Sequence, residues 1–375
     1  MEYRELKNGY KSSLLGYGCM RLPLMEDGQT VDEVETRKLL MKAYKNGVNY
    51  FDTAWPYHGG QSERVVGKIM KELPRESFYF ATKMPAWYVN SLEDAERVFK
   101  EQLEHLQTDY IDFYLLHAMN RASYDKLKNL GIVDLLQTYK DQGKIKNYGF
   151  SFHDEYDTFE YIIKERDWDF CQIQFNYVDK DTQATMKGYR LAEELGIPLV
   201  IMEPVKGGNL ANIPKDVIGP MDEFRPGLTP SAWALTWVGT FSNVKVILSG
   251  MTTMEQLDDN LNTFNDFKPL SDDEMAAMEK VNEEITARTQ NSCTGCRYCM
   301  PCPMGVNIPK NFSIWNNYHK FMNRGGAQWE WSQMPESERP YSCVKCGKCE
   351  TMCPQKINIR DDLEKVGEEM KVLFS

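Results

Sequence analysis

Asn49-Tyr50-Phe51-Asp52-Thr53-Ala54-Trp55-Pro56-Tyr57 begins as a buried strand and ends in polar chemistry. Two later stretches repeat the pattern. Phe78–Met84 delivers Thr82 and Lys83 after an aromatic run, and Ile111–His117 ends Leu115-Leu116-His117. Near-continuous apolar runs of this length suit parallel strands covered on both faces. Five more fit the description: Leu14–Met20, Asn147–Phe152, Cys171–Tyr177, Leu199–Val205 and Val244–Gly250. The segments between them read as helices. Thr30 with Glu33, and Thr252 with Glu255, have capping-box spacing. Ser91 opens a segment with Leu92, Ala95, Phe99, Leu103 and Leu106 at helical intervals, and Thr182 to Gly196 reads as another helix. Eight β–α units predict an α/β protein with a (β/α)8 TIM barrel. A doubly wound sheet would favour a glycine-rich turn after its first strand, and Gly16-Tyr17-Gly18 is only a partial match lying inside the strand.

Composition narrows the function classes. The 375 residues are 42% hydrophobic and 26% charged, enough for a sizeable core and far from disorder. The formal net charge of −11 shows no basic face for nucleic acid. The longest apolar runs, such as Ile197 to Met202, are strand-length and do not suggest a membrane span. The opening Met1-Glu2-Tyr3-Arg4-Glu5 has no apolar signal core, so the expectation is a soluble cytoplasmic protein. Chain length carries no oligomeric state.

In a barrel, catalytic residues sit where strands end. Three successive strands bring Asp52, Lys83 and His117 to one rim, with Tyr57 five residues beyond the aspartate. A phenol is a poor acid at neutral pH, and a nearby ammonium lowers its pKa. Asp52 would hold and balance Lys83, Tyr57 would donate a proton to a carbonyl oxygen, and His117 would orient that carbonyl. Taken singly, each residue has a plainer explanation. A strand-end Asp often caps a helix, and one tyrosine among 20 means little. Their joint occurrence on successive strands favours chemistry.

These residues resemble the aldo-keto reductase family. Asp52-Thr53-Ala54…Tyr57 followed by Gly60-Gln61-Ser62-Glu63…Gly67 is similar to its strand-2 signature, and Lys83 and His117 complete its tetrad. The resemblance covers roughly residues 1–285. It implies a nicotinamide cofactor, NADP(H) or NAD(H), and a small carbonyl or alcohol substrate. Tyr57 would be the acid, tuned by Lys83 and Asp52. Ser151 and Gln172 match residues that hold the nicotinamide carboxamide, while Phe152 stands where the family has Asn. Met202 stands where the family commonly stacks an aromatic on the nicotinamide. Pro204-Val205-Lys206-Gly207-Gly208 resembles the pyrophosphate loop. Gly250-Met251-Thr252-Thr253…Gln256…Asn260 resembles the adenosine-phosphate segment. No basic residue lies in that last stretch to select a 2′-phosphate, so both nicotinamides stay open. Met20, Trp55, Trp87 and Tyr88 fall where they could line the mouth.

Eight of the ten cysteines lie after residue 292. They read Cys293-x2-Cys296-x2-Cys299-x2-Cys302-Pro303 and Cys343-x2-Cys346-x2-Cys349-x3-Cys353-Pro354. A disulfide framework is unexpected in a large chain without an export signal. CxxC pairs also make zinc sites, but four close cysteines ending in Cys-Pro, twice, fit iron–sulfur better. The tail resembles a two-cluster [4Fe–4S] ferredoxin module. In such modules the fourth cysteine crosses over, which would group Cys293, Cys296, Cys299 and Cys353 in one set and Cys343, Cys346, Cys349 and Cys302 in the other. The expected domains are therefore 1–285, the barrel, and 286–375, a small, mainly helical iron–sulfur domain. Phe312, Trp315, Tyr318 and Phe321 recur every three residues and suggest a helix. Cys19 and Cys171 read as core.

A hydride carries two electrons and a cluster moves one. Coupling them directly calls for an intermediate such as a flavin, for which the chain has no fingerprint, although a barrel mouth can bind flavin without one. The leading expectation is a carbonyl reductase or alcohol dehydrogenase whose clusters are structural or exchange electrons with a redox partner protein. The alternatives are a ferredoxin-linked oxidoreductase, in which the clusters feed the barrel, and a non-catalytic redox sensor or electron carrier.

Overall fold

The structure, a computed structural model, describes residues 1–374. Among them a short hairpin, β1 (Tyr3–Glu5) and β2 (Lys11–Ser13), precedes eight parallel strands. These are β3 (Leu15–Gly18), β4 (Tyr50–Asp52), β5 (Tyr79–Pro85), β6 (Ile111–Met119), β7 (Ile145–Phe152), β8 (Phe170–Gln174), β9 (Leu199–Met202) and β10 (Val244–Ser249). They close in chain order, β10 pairing with both β9 and β3. Each expected strand has its counterpart. Tyr50, Ala81, Phe113, Leu115, Phe170, Val200, Val246 and Leu248 form a buried cluster joined by Leu6 from the hairpin. That apolar filling makes the barrel a packed core and leaves polar residues for the C-terminal strand ends.

The helix starts follow local capping, with two shifts from expectation. Asp32, not Thr30, caps Glu33–Lys45, accepting from the Val34 and Glu35 amides. Thr30 instead donates to Asp27 in the preceding turn. Thr253, not Thr252, caps Met254–Asn265, in a capping box with Gln256. Ser91 caps Leu92–Leu106 as expected. The buried face of that helix contains Gln102 and His105, while Leu92 stays exposed.

The chain forms two compact units. The first is Met1–Lys206 with Ser231–Ser271, which holds the barrel strands. The second joins Gly207–Pro230 to Asp272–Ser375. In the second unit Arg225 makes paired bonds of 2.5 and 2.8 Å to Glu274 on helix Asp272–Ala287, and Asn323 donates to Asn209 at 2.7 Å. Its core gathers Ile308, Phe312 and Trp315 from helix Ile308–Phe321 with Leu363, Val366 and Met370 from helix Ile359–Leu373. Among the described residues no helix is long and apolar enough to cross a membrane.

Candidate active site and cysteine cavities

The register of β4, β5 and β6 sets the first group. Asp52 pairs with Ala81, which puts Lys83 two residues further along β5, and Lys83 pairs with Leu115. The Lys83 ammonium lies 2.6 Å from Asp52 Oδ1, donates to the Thr53 carbonyl at 2.8 Å, and reaches the Tyr57 hydroxyl at 3.3 Å. Lys83 is 1% exposed and Asp52 3%. Tyr57 arrives on a tight turn whose next residues, His58, Gly59 and Gly60, all have positive φ. The Leu22 amide donates to His58 Nε2 at 3.1 Å and anchors the turn. The His117 ring meets Tyr57 edge-on, with centroids 5.9 Å apart, and Trp87 lies 4.9 Å from His117.

Burial dominates the electrostatics of this group. It pushes the Tyr57 phenol above its ordinary pKa, and Lys83, which pulls the other way, does not offset it. The expected net lowering of Tyr57 therefore does not occur. The ammonium acts in the predicted direction, but desolvation of the phenolate is larger. Burial likewise raises the Asp52 carboxyl against the pull of Lys83. On Lys83 burial works downward, but Asp52 and Tyr57 outweigh it and hold the ammonium protonated. Burial, then Lys83 and His153, drives His117 well below the usual histidine range, so its ring is neutral.

The remaining expected positions differ in how free they are. Ser151 and Gln172 are paired in register across β7 and β8 and both are buried. The Ser151 hydroxyl accepts from the Ala118 amide at 2.7 Å. Gln172 Oε1 is buried without a partner. Met202 ends β9, partly exposed, followed by buried Pro204 and partly exposed Val205. Lys206 forms a 2.5 Å ion pair with Asp179. Gly208, at φ +95, lies in the second unit. Beyond β10, Gly250 is exposed and Met251 buried, its carbonyl accepting from Tyr17 at 2.6 Å. Thr252 Oγ1 donates to the Arg21 carbonyl, and the Gln256 side chain accepts from the Thr252 and Thr253 amides. Asn260 is buried and donates to Ser249. At the mouth Met20, Trp87 and Tyr88 are exposed, and Trp55 packs edge-on against Tyr88 at 4.7 Å. The sequence reading missed His58 and His153. Both are ordinary in isolation and gain meaning only from the turn and the rim.

In the second unit the eight tail cysteines divide between two cavities. Cys293, Cys296, Cys299 and Cys353 line one, with Phe312 and Ile357. Cys302, Cys343, Cys346 and Cys349 line the other, with Arg360 and Leu363. Ile308 lines both. Cys296 and Cys346 are exposed, and the other six are partly buried. Cys19 and Cys171 are fully buried in the barrel.

A parallel eight-stranded barrel carrying this rim, followed by paired four-cysteine cavities, defines an oxidoreductase architecture with an iron–sulfur module. The chain belongs to the aldo/keto reductase family, whose profile matches residues 14–283, and residues 292–358 match a 4Fe-4S dicluster domain. It is 36% identical over 163 residues to L-galactose dehydrogenase of Arabidopsis thaliana, a match spanning 40% of this chain and 48% of that relative. It is 26% identical over 289 residues to the NADH-specific methylglyoxal reductase of Escherichia coli (strain K12), covering 66% of this chain and 87% of that one. Its fold is similar to the holo form of an aldo-keto reductase from Bacillus halodurans, with TM-score 0.64 and 26% identity over 75% of this chain and 96% of that one.

Proposed function

We propose that the barrel interconverts a small carbonyl compound and its alcohol with NADP(H) or NAD(H), and that the eight tail cysteines hold two [4Fe–4S] clusters. The observation that carries the first part is the buried ammonium of Lys83, bonded at once to Asp52 and to the Tyr57 hydroxyl. The nicotinamide supplies or accepts the hydride. With a nicotinamide bound, Tyr57 would give its hydroxyl proton to the carbonyl oxygen as the C=O π bond opens. Lys83 then stabilises the phenolate left on Tyr57, and Asp52 keeps Lys83 in place and charged. Neutral His117 donates to the substrate oxygen and fixes its direction. The unpartnered Gln172 Oε1 is a buried acceptor suited to the carboxamide N–H of the nicotinamide. Within the first unit Ser151, Met202, Pro204, Val205, Lys206, Gly250, Met251, Thr252, Thr253, Gln256 and Asn260 complete the proposed cofactor contacts.

For the tail, four cysteines around each cavity supply a full set of thiolate ligands for a four-iron cluster. The clusters supply one-electron steps. One exposed cysteine on each cavity, Cys296 and Cys346, favours electron exchange with a redox partner protein over a purely structural role. The deciding experiment is anaerobic turnover of an aldehyde and ketone panel with each nicotinamide. Tyr57→Phe is expected to lower kcat by about 100-fold or more while iron and sulfide contents stay the same. Retained turnover in that variant removes Tyr57 from the mechanism.

A further inference from the structure

Beneath the rim lies a second polar cluster that the proposed chemistry does not touch. Glu63 is 1% exposed. Its Oε1 accepts from the Thr82 hydroxyl at 2.5 Å and from Gln102 Nε2 at 3.0 Å, and its Oε2 lies 3.2 Å from His105 Nδ1. Gln102 Nε2 is also 3.0 Å from the Lys83 carbonyl, and Gln102 Oε1 accepts from the Tyr114 hydroxyl at 2.6 Å. The preceding residue does the same work on the neighbouring strand. Ser62 Oγ meets the Thr53 hydroxyl at 2.9 Å and donates to the Cys19 carbonyl at 2.9 Å.

Successive residues of a strand face opposite sides. Lys83 points to the lumen with Asp52 and Tyr57, so Thr82 points outward to the helix layer, where Glu63 and Gln102 wait. Thr53, immediately after β4, likewise follows Asp52. Helix Gln61–Met70 therefore grips, from outside, the two residues adjacent in sequence to the buried ion pair. Gly67, one turn beyond Glu63, lets it come close enough. A Cβ there would stand 2.2 Å from the His105 carbonyl and 2.6 Å from Leu106 Cα. A buried carboxylate is retained only where donors meet it, and here they come from β5 and from helix Leu92–Leu106.

We infer that Ser62 and Glu63 form a clamp whose task is to fix the Lys83 ammonium against the Tyr57 hydroxyl, with Glu63, Thr82 and Gln102 as positioning residues. The clamp touches neither substrate nor cofactor and acts through the backbone of β4 and β5. It rests on the proposed role of Tyr57, but its test reads the phenol directly. Tyr57 is followed by NMR in protein carrying ring-labelled tyrosine, its resonance assigned by loss in Tyr57→Phe, and its titration is compared between wild type and clamp variants. Lys83 draws the Tyr57 pKa down, so loosening Lys83 raises the midpoint. Glu63→Leu and Thr82→Val are expected to raise it by about one unit, the lower end of the effect of a close charge. Glu63→Gln, which keeps an acceptor for Thr82 and Gln102, is expected to restore it. In the same proteins kcat falls about tenfold, near the rate lost per 1.4 kcal/mol of barrier, with KM for the nicotinamide within about twofold. If Glu63→Leu does not fold, Thr82→Val decides alone. A folded clamp variant whose Tyr57 titrates as in wild type overturns the inference. Retained turnover in Tyr57→Phe would overturn the hydride mechanism instead and leave the titration result readable.

Discussion

The barrel rim and the cysteine cavities are built by opposite means. At the rim, strand register and a shell of hydrogen bonds fix Asp52, Lys83 and Tyr57 before any ligand takes part. Around the cavities, Cys293, Cys296, Cys299 and Cys302 lie on a stretch without regular helix or strand, and Cys343 and Cys346 precede a helix of only five residues, Lys348–Met352. Helices Ile308–Phe321 and Ile359–Leu373 supply a hydrophobic wall and hold the loops by side chains at their flanks, Asn316 accepting from the Gln290 and Asn291 amides and Glu364 pairing with Lys345. A site carried on strands is preorganised by the fold. A site carried on loops takes its order from what the thiols hold.

Removing one member of the rim should therefore cost fold stability as well as rate. Lys83→Met leaves Asp52 as a buried carboxylate with no cation beside it, at a cost of about 3–5 kcal/mol. Chemical denaturation of the barrel unit should show that loss, and turnover should fall by about 1,000-fold. A stable, active Lys83→Met protein would mean that the rim is less preorganised than its hydrogen bonds imply. The matching test on the other side is Cys353→Ser. If the cavities are the ligand sets, iron per chain falls by about half, from about eight to about four. Amide exchange over residues 290–302 should then quicken on the order of 100-fold, the factor for losing a ligand held at about 100 times its dissociation constant. The barrel strands should keep their protection. Equal loosening of both units would break the contrast, and loss of all iron would show that neither cluster assembles alone.

Most of the barrel was legible because parallel strands must be apolar on both faces, which leaves a run that sequence reveals directly. The same reading failed where side chains compete on nearly equal terms. Thr30 and Thr252 have good capping spacing, yet Asp32 and Thr253 cap the helices, because capping is decided by which oxygen meets the free amides. Helix Leu92–Leu106 shows the limit more sharply. Apolar periodicity pointed to Leu92 and Leu103, but Gln102 and His105 are buried because Glu63, distant in sequence, requires them. The direction of the Tyr57 shift was likewise out of reach. The ammonium was visible in the sequence, but the degree of burial is a property of the closed barrel. Nor does local sequence indicate that Gly207–Pro230 joins the second unit, since that follows from tertiary bonds such as Arg225 to Glu274.

The smallest expected effect separates the rim from the loops by pH. Burial holds the His117 pKa well below its ordinary value of 6.5. In the unfolded chain the ring takes up a proton as pH falls through 6.5, whereas in the folded barrel it stays neutral. The unfolded state then binds more protons, so stability declines as pH drops below 6.5 and continues to decline until the folded-state pKa is reached. Above 6.5 the ring is neutral in both states and contributes no slope. The limiting slope is about 1.4 kcal/mol per pH unit for one group. His117→Asn cannot take up that proton. Subtracting its stability from wild type at each pH cancels the carboxylates that titrate alike in both proteins. The difference should be flat above pH 6.5 and tilt toward the variant below it. A flat difference across the whole range would mean that His117 is solvated like a surface histidine, and the rim would then be as open to water as the exposed cysteines of the second unit.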